Sequence, residues 1–180
     1  FGSRLPEKAP TSTVTEREVE REDDDAAKSR AVNHANKQEL PIEQYKGEIL
    51  EAVDNNQAVI ITAETGAGKS TQVPQFLAEA GYKVVVTQPR IVAARSVSER
   101  VREEMVEKHG AEAETVVGYR TAHERNDNPD NRILFATDGL QLVRELSGHG
   151  VGEKQVLVLD EVHELNENME VLVAWAKPRM

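Results

Sequence analysis

Four short runs of β-branched and aliphatic residues constrain this chain more than any other feature: Ala58 to Thr62, Lys83 to Thr87, Ile133 to Ala136 and Val156 to Leu159. Each is apolar along most of its length instead of alternating, so each predicts a strand covered on both faces. Stretches with helical spacing separate or follow them: Lys69 to Ala80, Val92 to Lys108, Gly139 to Leu146 and Asn166 to Ala176. Strand and helix in alternation is the pattern of a parallel sheet with helices on either side, so the sequence predicts an α/β fold in three layers. A weaker run, Thr115 to Tyr119, is a further strand candidate. Ile42, Tyr45, Ile49, Leu50 and Val53 recur at three- and four-residue spacing as an amphipathic helix ending near Asn55. Pro74 lies inside the helix that starts at Lys69, where a kink is expected.

Residues 1–38 hold few apolar side chains and include the run Glu22-Asp23-Asp24-Asp25, which predicts an acidic, flexible arm ahead of a folded domain over 39–180. Thr15 to Asn36 lacks Gly and Pro, so the arm offers a helical segment to a protein partner. With 22 basic and 32 acidic residues the net charge is −10, which excludes coating of nucleic acid through bulk positive charge. The absence of cysteine excludes disulfides, thiolate metal sites and cysteine nucleophiles. The longest apolar runs are far shorter than the ~20 residues a membrane-spanning helix needs, so no membrane partner is expected. The chain opens on Phe-Gly-Ser and ends at Met180, as a piece of a longer protein would. A cytoplasmic location is the default expectation, and a nuclear one is equally compatible.

Between the first run and the helix from Lys69 stands Ala63-Glu64-Thr65-Gly66-Ala67-Gly68-Lys69-Ser70-Thr71, which resembles a Walker A loop. Glycines let backbone N–H groups turn inward around phosphates, and the following helix points its positive end at them. Thr65, Gly66, Ala67, Gly68, Lys69, Ser70 and Thr71 are the expected ATP-binding residues. Lys69 would contact the β- and γ-phosphates, and Ser70 would place its hydroxyl on Mg²⁺. Ala63 departs from the pattern, which has glycine there.

The run Val156 to Leu159 leads directly into Asp160-Glu161-Val162-His163. A buried strand that delivers two carboxylates at its C-terminal end sets them in the crevice where parallel sheets bind ligands. Asp160 is the expected metal ligand alongside Ser70, and Glu161 the group that activates an attacking water. Lys69, Asp160 and Glu161 form the expected catalytic set, with His163 placed to contact the nucleotide or an opposing domain.

Asp160-Glu161-Val162-His163 resembles motif II of the DEAH-box (DExH) ATP-dependent RNA helicases of superfamily 2, with Val162 where the family has alanine. Leu40-Pro41-Ile42 and the helix after it are similar to that family's approach to Walker A, and Thr65 to Gln75 to its motif I. Thr87-Gln88-Pro89-Arg90, followed by Val92-Ala93-Ala94-Arg95, is similar to motif Ia. Thr137-Asp138-Gly139 is similar to motif Ib, and Val117-Gly118-Tyr119 to the segment before it.

The resemblance implies a RecA-like P-loop NTPase domain that binds ATP and Mg²⁺ and, in the full-length protein, couples hydrolysis to movement along single-stranded RNA. It implies RNA-backbone contacts from Gln88, Arg90, Arg95 and Thr137. It also implies a second RecA-like domain that completes the ATP site, without which a fragment would be weakly active or inactive. The strand leading to the family's motif III lies between the Walker A and Walker B strands, so a chain stopping at Met180 is expected to have an incomplete sheet. Ala122 stands where the family carries arginine, and Arg120 is the available substitute. Two other readings share the loop and the acidic pair: a P-loop kinase or ATPase that ignores nucleic acid, and a nucleotide-binding interaction module without turnover.

Overall fold

Val84, Val85 and Val86 lie near the middle of a five-stranded sheet in the computed structural model, which describes residues 40–150, 155–164 and 166–176. The arm expected over residues 1–38 lies outside the described residues. The strands are β1 (Lys83–Gln88), β2 (Val117–Arg120), β3 (Arg125–Asn126), β4 (Ile133–Thr137) and β5 (Gln155–Leu159), in the spatial order β3-β2-β4-β1-β5. β2, β4, β1 and β5 run parallel, and the two-residue β3 pairs antiparallel with β2. The helices are α1 (Lys46–Asn55), α2 (Lys69–Glu79), α3 (Ile91–His109), α4 (Asp138–Leu146) and α5 (Glu167–Ala176). 3₁₀ turns over Glu43–Tyr45 and Ala111–Thr115 precede α1 and β2.

The register pairs Val84 with Ile133 and Val156, and Val86 with Phe135 and Val158, so these side chains share one face. That face carries the main core, closed by Ile49 of α1, Val73, Phe76 and Leu77 of α2, and Val101 and Met105 of α3. Helix α4 covers the opposite face, where it lines a cleft with Val85 and Leu134, and it packs against α5. The arrangement is the expected three-layer α/β fold.

The run Ala58 to Thr62 is not a strand. No described residue pairs with it, and Ile60 is 91% exposed. A β-branched run becomes a strand only when a neighbour supplies a ladder, because the backbone groups need partners. β5 is an edge of the sheet, and among the described residues nothing pairs with its outer side. All five residues of β5 are accordingly half-buried instead of covered on both faces. β3 has no apolar signal, since Arg125 and Asn126 are both exposed. Pro74 stays within α2, where it withholds the amide that would bond the Ser70 carbonyl.

Candidate nucleotide and nucleic-acid site

The phosphate-loop resemblance has a backbone basis. Gly66 and Gly68 take φ of +83° and +96°, the left-handed region that side chains disfavour, and Gly68 caps α2. A Cβ on Gly68 would stand 2.8 Å from Leu40 Cδ1 and 3.2 Å from Ile42 Cγ2. The Ile42 amide donates to the Ala67 carbonyl at 3.1 Å, so Leu40-Pro41-Ile42 braces the loop directly. Ala63 needs no glycine freedom, because Glu161 is the one non-glycine with positive φ among the described residues. Lys69 Nζ donates to the carbonyls of Ala63 at 2.5 Å and Glu64 at 3.0 Å, which holds its ammonium against the loop. Lys69, Ser70 and Thr71 form the first turn of α2, where unpaired N–H groups and the helix dipole favour an anion. Thr65 and Gly66 are exposed, and Ala67 is buried.

The second group of expected residues comes from strand ends. Gln88 pairs with Thr137 and Thr87 with Leu159, so Thr137, Gln88 and Asp160 finish three adjacent strands at one level. Gln88 is only 2% exposed, and its Nε2 donates to Asp160 Oδ2 at 2.5 Å. The Glu161 amide donates to Asp160 Oδ1 at 2.9 Å, so both oxygens of the Asp160 carboxylate are held. Glu161 sits at φ +52°, a conformation that raises a non-glycine residue by roughly 1–2 kcal/mol. His163 Nε2 lies 3.0 Å from Glu161 Oε2, and the Glu164 amide closes the turn onto the Glu161 carbonyl at 2.8 Å.

The remaining expected nucleic-acid residues stand near this edge in different circumstances. Arg90 is exposed and pairs with Glu164 Oε2 at 3.2 Å. Arg95, exposed on α3, pairs with Glu99 at 3.0 Å and Glu124 at 3.6 Å; its hydrogen bond to Glu99 is the main cause of a raised pKa. Thr137 is the residue before α4, in extended conformation. Arg120 turns to Asp127, and Gln88 is engaged with Asp160 instead of being presented at the surface.

Sequence reasoning passed over three residues here. Asp138, next to Thr137, is buried at the start of α4, with Oδ2 accepting from Asn166 Nδ2 at 3.0 Å. Burial pushes the Asp138 carboxyl above its usual range; the Asn166 bond opposes this, and the charges of Asp160 and Glu164 add to it. Asn166 also accepts from the Met169 amide at 2.9 Å, capping α5 and tying its start to that of α4. The polar residue just ahead of an apolar helical run was its signal. Glu164, the partner of Arg90, directly follows His163, but as one more surface acid it gave none.

The donor set suits a hard cation: Ser70 offers a hydroxyl and Asp160 a carboxylate, both oxygen ligands of the kind Mg²⁺ prefers. Glu161, His163 and Glu164 bring ligand atoms within 4.8 Å of one another in the adjoining turn. Among the described residues no helix is long and apolar enough to cross a membrane.

A mostly parallel five-stranded sheet flanked by helices is consistent with a RecA-like helicase domain. Residues 43–177 match the model of the family described as DEAD/DEAH box helicase, a family of ATP-dependent motors. That span contains both the glycine loop and the acidic strand end, and the chain belongs to the DEAD/DEAH box helicase family.

Proposed function

We propose that this chain is the N-terminal RecA-like motor domain of a DEAH-type RNA helicase, acting on single-stranded RNA together with a second RecA-like domain. The observation that carries this reading is the common level of three adjacent strand ends. β4 ends in Thr137-Asp138-Gly139, β1 in Thr87-Gln88-Pro89-Arg90, and β5 runs into Asp160-Glu161-Val162-His163. A P-loop kinase would need the last of these, but gives no reason for the first two beside it.

ATP with Mg²⁺, when bound, supplies the phosphoryl group and the charge neutralisation for its transfer. Thr65 to Thr71 would cradle the phosphates with backbone N–H groups, and Lys69 would exchange its two loop carbonyls for phosphate oxygens. Ser70 and Asp160 would hold the cation, with Gln88 fixing the carboxylate. Glu161 would orient and deprotonate the attacking water, and His163, against Glu161, would limit where that carboxylate points. Arg90 and Thr137 would grip the RNA backbone, which carries no sequence information. Arg95 and Gln88 are the weaker contacts of this set, because Glu99 and Asp160 already engage them.

The test is ATP turnover by the full-length protein with and without single-stranded RNA. RNA-stimulated turnover that is lost in Lys69→Ala and Glu161→Gln is the expected result. Turnover indifferent to RNA favours the kinase or ATPase reading. Nucleotide binding with no turnover under any condition favours an interaction module.

A further inference from the structure

Helix α2 turns two glutamines toward α3. Gln72 and Gln75 are 3% and 0% exposed and lie three residues apart, hence on one side of the helix. A buried primary amide must satisfy both its nitrogen and its oxygen, so each demands a donor and an acceptor from whatever packs against it. Helix α3 supplies both through two residues one turn apart. Glu104 Oε2 accepts from Gln72 Nε2 and from Gln75 Nε2 at 2.7 Å each. Lys108 Nζ donates to the two amide oxygens, at 3.2 Å for Gln72 and 2.8 Å for Gln75. The amide dipoles therefore lie side by side, nitrogen ends on a carboxylate and oxygen ends on an ammonium.

The bonds extend beyond these four side chains. Arg100 Nε donates to Glu104 Oε1 at 3.1 Å. Gln75 Nε2 also donates to the Thr71 carbonyl at 2.9 Å, and Gln72 Nε2 to Thr71 Oγ1 at 3.3 Å, which brings the clasp to the last residue of the phosphate loop. Burial pushes the Glu104 carboxyl up, but the bonds from Gln75, Gln72 and Arg100 outweigh it and hold the group below its usual range. Glu104 is half-buried and Lys108 exposed, so apolar side chains at these two positions would reach the same space but make none of these bonds. What they would not supply is direction: a satisfied polar network restrains sliding and rotation of one helix on the other.

The two helices lead to the two groups of expected residues. α2 starts at Lys69 in the phosphate loop, and α3 starts just after Arg90 and carries Arg95 in its second turn. We infer that Glu104 and Lys108 are positioning residues that lock α2 and α3 into one body, so that a change at the phosphate loop reaches Arg90 and Arg95. This rests on the proposed binding of nucleotide at the loop and RNA at Arg90.

The experiment measures, in the full-length protein, the affinity for a fluorescent non-hydrolysable ATP analogue with Mg²⁺, with and without oligouridine RNA. The ratio of the two affinities is the coupling factor, typically about 5- to 150-fold for linked sites. The variants are Glu104→Leu with Lys108→Met, Lys108→Met alone, and Lys108→Arg, each with its thermal melt. We expect both Met-bearing variants to stay folded, to bind the analogue alone within about twofold of the parent, and to bring the coupling factor close to one; Lys108→Arg keeps it. If the double variant fails to fold, Lys108→Met decides the matter, because Arg100 still holds Glu104. Folded variants that couple like the parent overturn the inference and leave the helicase reading intact. A parent that shows no coupling overturns both.

Discussion

Gln88 Nε2 and Asp160 Oδ2 are 2.5 Å apart, and this bond joins the end of β1 to the residue after β5. The parallel register places the two side chains at one level and on one face, and nearly complete burial of Gln88 leaves it little else to do. Removing the amide leaves Asp160 Oδ2, on a half-buried carboxylate, without its donor, and a hydrogen bond to a charged group contributes about 1.5–3 kcal/mol at most. Gln88→Ala should therefore lower ATP turnover about tenfold and raise the Mg²⁺ concentration needed for half-maximal activity. The RNA concentration for half-maximal stimulation should stay within about twofold. The reverse pattern would make Gln88 the backbone contact that motif Ia implies.

Arg90 and Glu164 form an exposed ion pair, a type worth at most about 1 kcal/mol to stability. Glu164→Gln should scarcely move the melting temperature, yet it frees the Arg90 guanidinium for phosphate. Tighter binding of single-stranded RNA is expected in that variant, and weaker binding in Arg90→Ala. If Arg90 holds one phosphate, Arg90→Ala should also flatten the log–log salt dependence by about 0.7. An unchanged slope would remove Arg90 from the RNA path.

Asp138 sets a sign for the pH dependence of stability. Its folded pKa is raised above the ordinary aspartate value, mainly by burial, so the folded state keeps this proton to a higher pH than the unfolded chain. Between those two values the folded state binds more protons, and the stability from this group falls as pH rises and stays lost above the window. Asp138→Asn keeps an oxygen for Asn166 Nδ2 and removes the charge. It should raise the melting temperature at pH 7. The advantage should shrink as pH falls through the folded value toward 3.8, as melting curves at several pH values would show. Equal melting temperatures at pH 7 would mean that the Asp138 charge is not penalised.

Most of the sheet was legible because β1, β4 and β5 are continuous apolar runs, even though β5 is only half-buried among the described residues. The loop was legible because Gly66 and Gly68 occupy backbone geometry that other residues avoid. Orientation was not. Gln88 read as a polar strand end available to phosphate, and only the neighbouring of β1 and β5, which periodicity does not encode, turns it onto Asp160. Nothing in the sequence singles out Glu104 and Lys108 among the charges of their helix. Their role depends on two glutamines about thirty residues away in α2.

The run Ala58 to Thr62 is where composition and ladder part company. Its residues favour a strand, yet propensity measures fit to a pleated neighbour, and none of the described residues provides one. The DEAH resemblance puts another strand between this run and β5, on the side of β5 that is unpaired among the described residues. Hydrogen exchange of this 180-residue chain should therefore show amides 58–62 exchanging near the unprotected rate while amides 84–88 of β1 are strongly protected. Ile60→Thr should change stability by less than about 0.5 kcal/mol, as for an ordinary surface position. In a longer protein that contains the intervening strand, the same amides should become protected and the same substitution destabilising. Protection of 58–62 in the 180-residue chain itself would show that this run finds a ladder partner without that strand.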